Sequence, residues 1–459
     1  MIDNNNENSE FIIDKDRAEL DKVIVEAISR GDLAEAKSLI SSMHIADQAD
    51  LIDRLPTEVR EILIDILSES LVPELLVEIE SSSILESIIA HLGVQKIAKL
   101  ISKLEIDDAV SVLVDLSEET KDEIISHMSK NKQKELDELF SYPENSAGRI
   151  MQKKFVAVPD SWSVGQTIDH MRENENIPNV FYEIFVINTK FKPIGYVPLG
   201  LIMHHGRSVL IKDILRDDMR IIDTNLDQEE VSFLFKQYGV ISVPVVNKIG
   251  RLVGVLTIDD ALEVIEKEAE EDIMHMGGVN ETDFHLEIFE IVKSRFPWLF
   301  INLLTATIAA IVVLIFDSTI QHIVALAAVM QIVASVGGNA GTQTMTVSVV
   351  ALSTKELSNV NAVRVIIRQI TACALNGLLV AIIGGILMAF WYKDIYLSVV
   401  FGVSMIINFA LAGFFGTSIP ILINRLGLDP AIASPIFLTP LTDAFGFLTF
   451  LGLATIFLM

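Results

Sequence analysis

Five apolar runs, each long enough to cross a bilayer, fill the chain from Pro297 onward, and nothing else in the sequence constrains its fold as strongly. Within hydrocarbon every backbone polar group must be satisfied internally, so a spanning segment is a helix or part of a closed barrel. Apolar runs of about 20 residues are helical spans. They are Trp298–Phe316, Ile323–Ala351, Ile366–Trp391, Leu397–Ile423 and Ala431–Leu458. The first has 19 residues and is about 28 Å long at the helical rise.

Charge divides the chain at the same place. Of 35 basic and 62 acidic residues, five of each lie from Pro297 onward, so the whole net charge of −27 rests on the first 296 residues. An acidic soluble part repels nucleic acid and attracts cations. Cys373, the sole cysteine, lies in an apolar run, which rules out a disulfide framework and a thiolate metal cluster. Met1–Glu10 is polar and Asn-rich, without the basic start and apolar core of a signal peptide, and residues 1–14 are expected to be disordered. With a cytosolic N-terminus, Lys293, Arg295, Lys355, Arg364, Arg368 and Arg425 fall on the inner side and only Lys393 outside. The expectation is a multi-pass protein of the cell (inner) membrane, its acidic half cytosolic, its C-terminus outside and Asp429 at the cytosolic mouth.

The soluble part reads as three pieces. Residues 15–141 carry apolar positions three and four apart with few glycines or prolines, an all-α superhelix. The start Leu55–Glu58 resembles Leu116–Glu119, each followed by an amphipathic run, as in stacked helix pairs. Asp107 and Asp108 precede a helix expected over Ala109–Leu116 and read first as caps. Residues 142–203 and 204–262 then repeat one order of strand, helix, strand, strand: Phe155–Val158, Ser163–Arg172, Phe181–Ile187, Ile194–Pro198, then Arg220–Ile222, Gln228–Lys236, Val243–Val246, Leu252–Leu256. Gly195 and Gly254 occupy equivalent turn-to-strand places. This α+β repeat resembles a tandem CBS pair. Such pairs sense ligands including adenine nucleotides, so ATP is an expected ligand, although no glycine-rich phosphate loop is present.

An acidic connecting helix, placed at 263–296, leads to the membrane domain of 297–459. Between Asp259 and Asp272 there are eight acids and one base, Lys267. Helical spacing puts Asp260 with Glu263, and Glu268 with Glu271 and Asp272, on shared faces, where like charges repel. Either the face is solvated, or hard divalent cations neutralise it through oxygen ligands. In the membrane domain Asp443 lies some twelve residues into the last run, near the bilayer midplane. An ionisable group there marks an ion pathway by default; a protonated structural Asp is the other reading. The second run carries Gly337, Gly338, Asn339, Ala340, Gly341, Thr342 and Gln343. Its glycines permit close helix contact or a break that lines a cavity. Pro435 and Pro440 loosen the last run before Asp443.

The order of helical superhelix, CBS pair, acidic helix and five spans, with GGNAGTQ at Gly337–Gln343 and NRLGLDPAIAS and LTDAFG within Asn424–Gly446, resembles the MgtE family of magnesium channels. The resemblance covers nearly the whole chain. It implies a homodimer in the lipid bilayer, a selectivity site for hydrated Mg²⁺ at Asp443 with Asn339 beside it, and a connecting helix that plugs the pore. It also implies regulatory Mg²⁺ ligands at Asp107, Asp227, Glu229, Asp260, Glu263, Glu268, Glu271, Asp272 and Asp429. Two positions depart from the family pattern: Gln331 stands where VMPIVAS has proline, and Gly239 where some relatives carry an acid.

The expected function is Mg²⁺ import gated closed by intracellular Mg²⁺. A secondary carrier for Mg²⁺ or other divalent cations (Co²⁺, Mn²⁺, Ni²⁺) uses midplane acids too, and a membrane-anchored sensor is a third class. Enzymatic function is not expected. An intramembrane aspartyl protease would need Asp429 and Asp443 together, yet fourteen residues of helix hold them about 21 Å apart.

Overall fold

The computed structural model describes residues 14–459 except Glu69, Glu80, Glu175 and residues 280–287. Of the segment 1–14 expected to be disordered, residues 1–13 lie outside the described residues, as does part of the segment linking the acidic helix to the first span, while Asp14 opens a helix. The chain divides into two compact units, Met1–Ile265 and Glu266–Met459.

The first unit begins with helices from Asp14–Ser29 to Lys130–Phe140, most of them too short to be stable alone and held by burying an apolar face. Ile24, Ile52, Leu63, Ile88, Ile101 and Leu113 belong to one continuous core. The two similar starts do open helices, Thr57–Leu67 and Glu118–Ser126, but neither N-cap makes a side-chain capping bond. Pro56 has no side-chain donor or acceptor, and the Ser117 hydroxyl donates to Thr120 Oγ1 at 2.9 Å instead. Helix α1, Ile106–Val114, begins three residues earlier than expected, so Asp107 and Asp108 lie inside its first turn rather than ahead of it.

The repeated segment forms two three-stranded sheets. Strand β1 (Ala157–Pro159), helix α2 (Val164–Glu173), β2 (Glu183–Ile187) and β3 (Pro193–Pro198) make the first; β4 (Ile222–Asp223), α3 (Gln228–Tyr238), β5 (Ser242–Val246) and β6 (Leu252–Thr257) make the second. In each, the first two strands are parallel, joined through the helix, and the third returns antiparallel. Ser163 and Gln166 form a capping box at α2, and in the repeat Asp227 does the equivalent work, accepting from Glu229 N at 2.9 Å. Gly239 caps α3 in the left-handed region, φ +60°, where an acidic side chain would be strained. Gly195 and Gly254 are equivalent as expected, but lie inside the third strands, paired with Val186 and Val245, rather than at turns.

Helix α4, Ile258–Gly277, begins in the first unit and ends in the second, where the N–H groups of Gly278 and Val279 close it on the carbonyls of His275 and Met274. The second unit then holds α5 (Ile288–Ile315), α6 (Ala325–Ser353), α7 (Ala362–Tyr392), α8 (Ile395–Arg425) and α9 (Pro430–Leu458). All five are long and apolar enough to cross a membrane.

Helix α6 runs unbroken through Gly337–Gly341, so of the two readings of those glycines close packing is the one found. A Cβ on Gly337 would lie 2.0 Å from Asn408 Nδ2, and one on Gly446 of α9 would lie 2.9 Å from the same atom. The fully buried Asn408 side chain thus fills notches in two helices, its amide donating to Val333 O at 2.8 Å. Helix α9 likewise continues through Pro435 and Pro440.

Candidate ion pathway and its acidic flanks

Proline has no N–H, so the carbonyls of Ala431 and Ile436 lack their usual helical donors four residues on, at Pro435 and Pro440. Ile436 lines a cavity of about 400 Å³ in the second unit, along one face of α9 formed by Ile432, Pro435, Ile436, Thr439, Pro440 and Asp443. Its other walls are Trp298, Asn302, Thr305 and Ala306 of α5, and His275 to Gly278 at the end of α4. Asp443 is half-buried and opens onto this space. Gly338 of α6 faces it: a Cβ there would stand in ordinary contact, 3.8 Å from Thr442 Oγ1 and 3.9 Å from Asp443 Oδ1.

Asn339 is exposed and, among the described residues, makes no hydrogen bond with Asp443. It belongs to a polar stripe on α6 of Gln331, Ser335, Asn339, Thr342 and Thr346, all exposed, at spacings of three or four residues. Gln331 therefore extends that stripe rather than bending the helix. Such a face is costly against lipid and calls for water or another protein surface.

At the end of α4 a second group forms. Asp429 caps α9, its Oδ1 accepting from Ala431 N at 2.7 Å. Its Oδ2 lies 3.2 Å from His275 Nδ1, while Nε2 of the same ring lies 3.6 Å from Glu271 Oε1. His275 is only 5% exposed. Asp272 is close enough that burial first, and the Asp429 charge second, push its carboxyl above the usual range. Glu271, Asp272 and Asp429 are thus brought together, with a histidine that sequence reasoning passed over.

A third group lies in the first unit, where α1 meets the start of α4. Asp107 is 8% exposed and its Oδ1 has no hydrogen-bond partner. Burial, then the charges of Asp260 and Asp108, push its carboxyl up to about 8. Burial also lifts Asp260 to about 6, against hydrogen bonds from Thr257, whose hydroxyl donates at 2.6 Å, while Gln152 donates at 3.2 Å. Asp108 is raised by burial and by Glu105, Glu263, Asp259 and Glu74. Lys154 pairs with Glu105 at 2.8 Å, and Lys132 donates to Leu104 O, so neither ammonium pairs directly with Asp107.

Among the described residues no three His, Cys, Asp or Glu side chains lie in direct ligating geometry. The orphaned Asp107 oxygen fits a cation, because burial there leaves an acceptor that only a proton, a water or a cation can satisfy. Glu263 is grouped with Asp108, and Glu268 is half-buried midway along α4. Asp227 and Glu229 are exposed at the start of α3, away from either group by sequence and role.

Comparison with known proteins agrees with this layout. Family models match for "Divalent cation transporter" at 330–453, "MgtE intracellular N domain" at 43–145, and "CBS domain" at 147–206 and 211–267. The magnesium transporter MgtE of Bacillus subtilis is 27% identical over 436 residues, 95% of this chain and 96% of that protein. That of Thermus thermophilus is 28% identical over 441 residues, 94% and 97%. A solved cytosolic domain of the Mg²⁺ channel MgtE in complex with ATP is 25% identical, with a TM-score of 0.49, over 53% of this chain and 99% of that one.

Proposed function

Because the chain belongs to the MgtE family of divalent cation transporters, we propose that it is a homodimeric channel importing Mg²⁺ across the cell membrane and closed by cytosolic Mg²⁺. The observation that carries the reading is the cavity: a membrane carboxylate, Asp443, opens onto a space lined also by Asn302, Thr305 and Thr439, whose cytosolic wall is the last turn of the acidic helix. The polar stripe of α6 supports a second copy across it, since a two-fold axis would pair both stripes and both Asp443 side chains around one water-filled path. Selectivity then rests on charge and on hydrogen bonds to the waters that Mg²⁺ retains.

The gate follows from α4 being held at both ends by carboxylates. At its start, Asp260 and Glu263 oppose Asp107 and Asp108; at its end, Glu271 and Asp272 oppose Asp429. Mg²⁺ bound at either group would neutralise the repulsion and hold the helix against the cavity mouth. When Mg²⁺ is scarce the groups repel, the helix loosens and the path opens, a population shift driven by differential binding. Glu268, Asp227 and Glu229 would act as auxiliary ligands, the last two once their capping bond rearranges. ATP is proposed as a ligand of the CBS pair from the resemblance alone, and no residue is assigned to it.

The test is current from protein reconstituted with Mg²⁺ as the sole permeant cation, while Mg²⁺ on the cytosolic face is stepped from zero to about 10 mM, where weak carboxylate sites saturate. Unitary currents that vanish with rising cytosolic Mg²⁺, and their loss in Asp443→Ala, are expected. Flux without unitary currents would make it a carrier, and full current through Asp443→Ala would refute the pathway.

A further inference from the structure

Asn302 and Thr305 lie one turn apart on α5, and both line the cavity that Asp443 opens onto. Trp298 and Ala306 share that face, at helical spacing. Among the described residues the Asn302 side chain has no hydrogen-bond partner. Asn302 is the fifth residue of the apolar run that begins at Trp298, and a primary amide there is unfavourable unless it meets water or a polar ligand. The Thr305 hydroxyl already donates its proton to Asn302 O at 3.1 Å, which leaves its lone pairs for the cavity. Across the space stand the Thr439 hydroxyl, the Ile436 carbonyl without its helical donor, and Asp443.

The wall thus sets a few acceptors among apolar side chains, and those acceptors bear on the ligand class. A hydrated divalent cation presents an outward shell of O–H donors. Six waters occupy about 180 Å³ at their liquid volume, so a hexahydrated ion fits within the roughly 400 Å³ available. A dehydrated ion would need several convergent carboxylates, and among the described residues Asp443 is the only one lining the cavity. We infer that Asn302 and Thr305 form a subsite for the hydration shell of a divalent cation, which positions the hydrated ion against Asp443 and sets how tightly the path holds it. The inference rests on the pathway reading above and adds α5 to it as a selecting wall.

The experiment uses the full chain in liposomes, with Mg²⁺ as the probe and flux measured against its concentration. Asn302→Leu should raise the half-saturating Mg²⁺ concentration about tenfold or more, the loss expected when a hydrogen bond to a charged assembly is removed. Thr305→Val should raise it by about two- to threefold, because a single neutral acceptor is lost. Asn302→Asp, which keeps the acceptor, should stay at or below the half-saturation of the unsubstituted protein and so separates acceptor chemistry from packing. Asn302→Ala serves in place of the leucine variant if that variant does not assemble. Unchanged half-saturation in the leucine or alanine variant, with flux lost in Asp443→Asn, would overturn the subsite and leave the pathway standing. Normal flux through Asp443→Asn would remove the pathway itself.

Discussion

If Mg²⁺ binds where α1 meets α4, it must displace protons, chiefly from Asp107 and Asp260, the two carboxyls there raised furthest. Asp107, raised to about 8, is about 90% protonated at pH 7, and Asp260, raised to about 6, is about 10% protonated. Both must ionise to hold the cation, so binding should release about one proton per ion at pH 7, about 1.5 at pH 6 and about 0.1 at pH 9. Because the pH dependence of a binding constant equals the protons released, apparent affinity should weaken about tenfold from pH 9 to pH 7. Titration calorimetry in two buffers of different ionisation enthalpy, or direct pH-stat titration, measures the count. Asp107→Asn should cut release at pH 7 to about 0.1 proton, leaving only the Asp260 contribution. Equal release from that variant, or release that does not change with pH, would refute the assignment. The same shifts act on stability. Both carboxyls bind protons more tightly folded than unfolded, so in chelator the first unit should lose stability as pH rises from about 4 to about 8, and Mg²⁺ should restore it at the alkaline end.

Two further outcomes follow from the packing and from the CBS pair. Gly337→Ala places a methyl 2.0 Å from an amide already committed to Val333 O, and should destabilise the detergent-solubilised protein by about 1–3 kcal/mol or more, with Gly337→Ala/Asn408→Ala recovering part of the loss in thermal melts followed by size-exclusion fluorescence. ATP at 100 times its dissociation constant should stabilise the cytosolic part by about 2.7 kcal/mol, visible as a higher melting temperature; no shift at millimolar ATP would remove it as a ligand.

What could be read from the chain depended on whether the signal was one-dimensional. Hydropathy alone locates the spans, because length and apolarity are properties of a single segment, and α5 to α9 lie where the five runs do. The strand–helix–strand–strand repeat was equally open, since 184–187 and 243–246 are short apolar, β-branched-rich runs that read as buried strands whatever they pack against. Asp443 stood out because a charge in an apolar run is anomalous by itself. Asn302, Asn408 and His275 did not, because a lone amide in a span or an imidazole after a run of acids gains meaning only from its neighbour. Asn408 needed the notches at Gly337 and Gly446, His275 needed Asp429 from 154 positions away, and Asn302 needed Asp443 across a cavity. A signal was available for Asn302: with Trp298, Thr305 and Ala306 it marks one helical face, which a hydropathy average erases. Asp107 shows the complementary limit. A carboxylate in a first helical turn is ordinarily a dipole partner exposed to water, and only its burial against Asp260 turns it into a group that holds a proton near neutral pH, and so into one that a cation can displace.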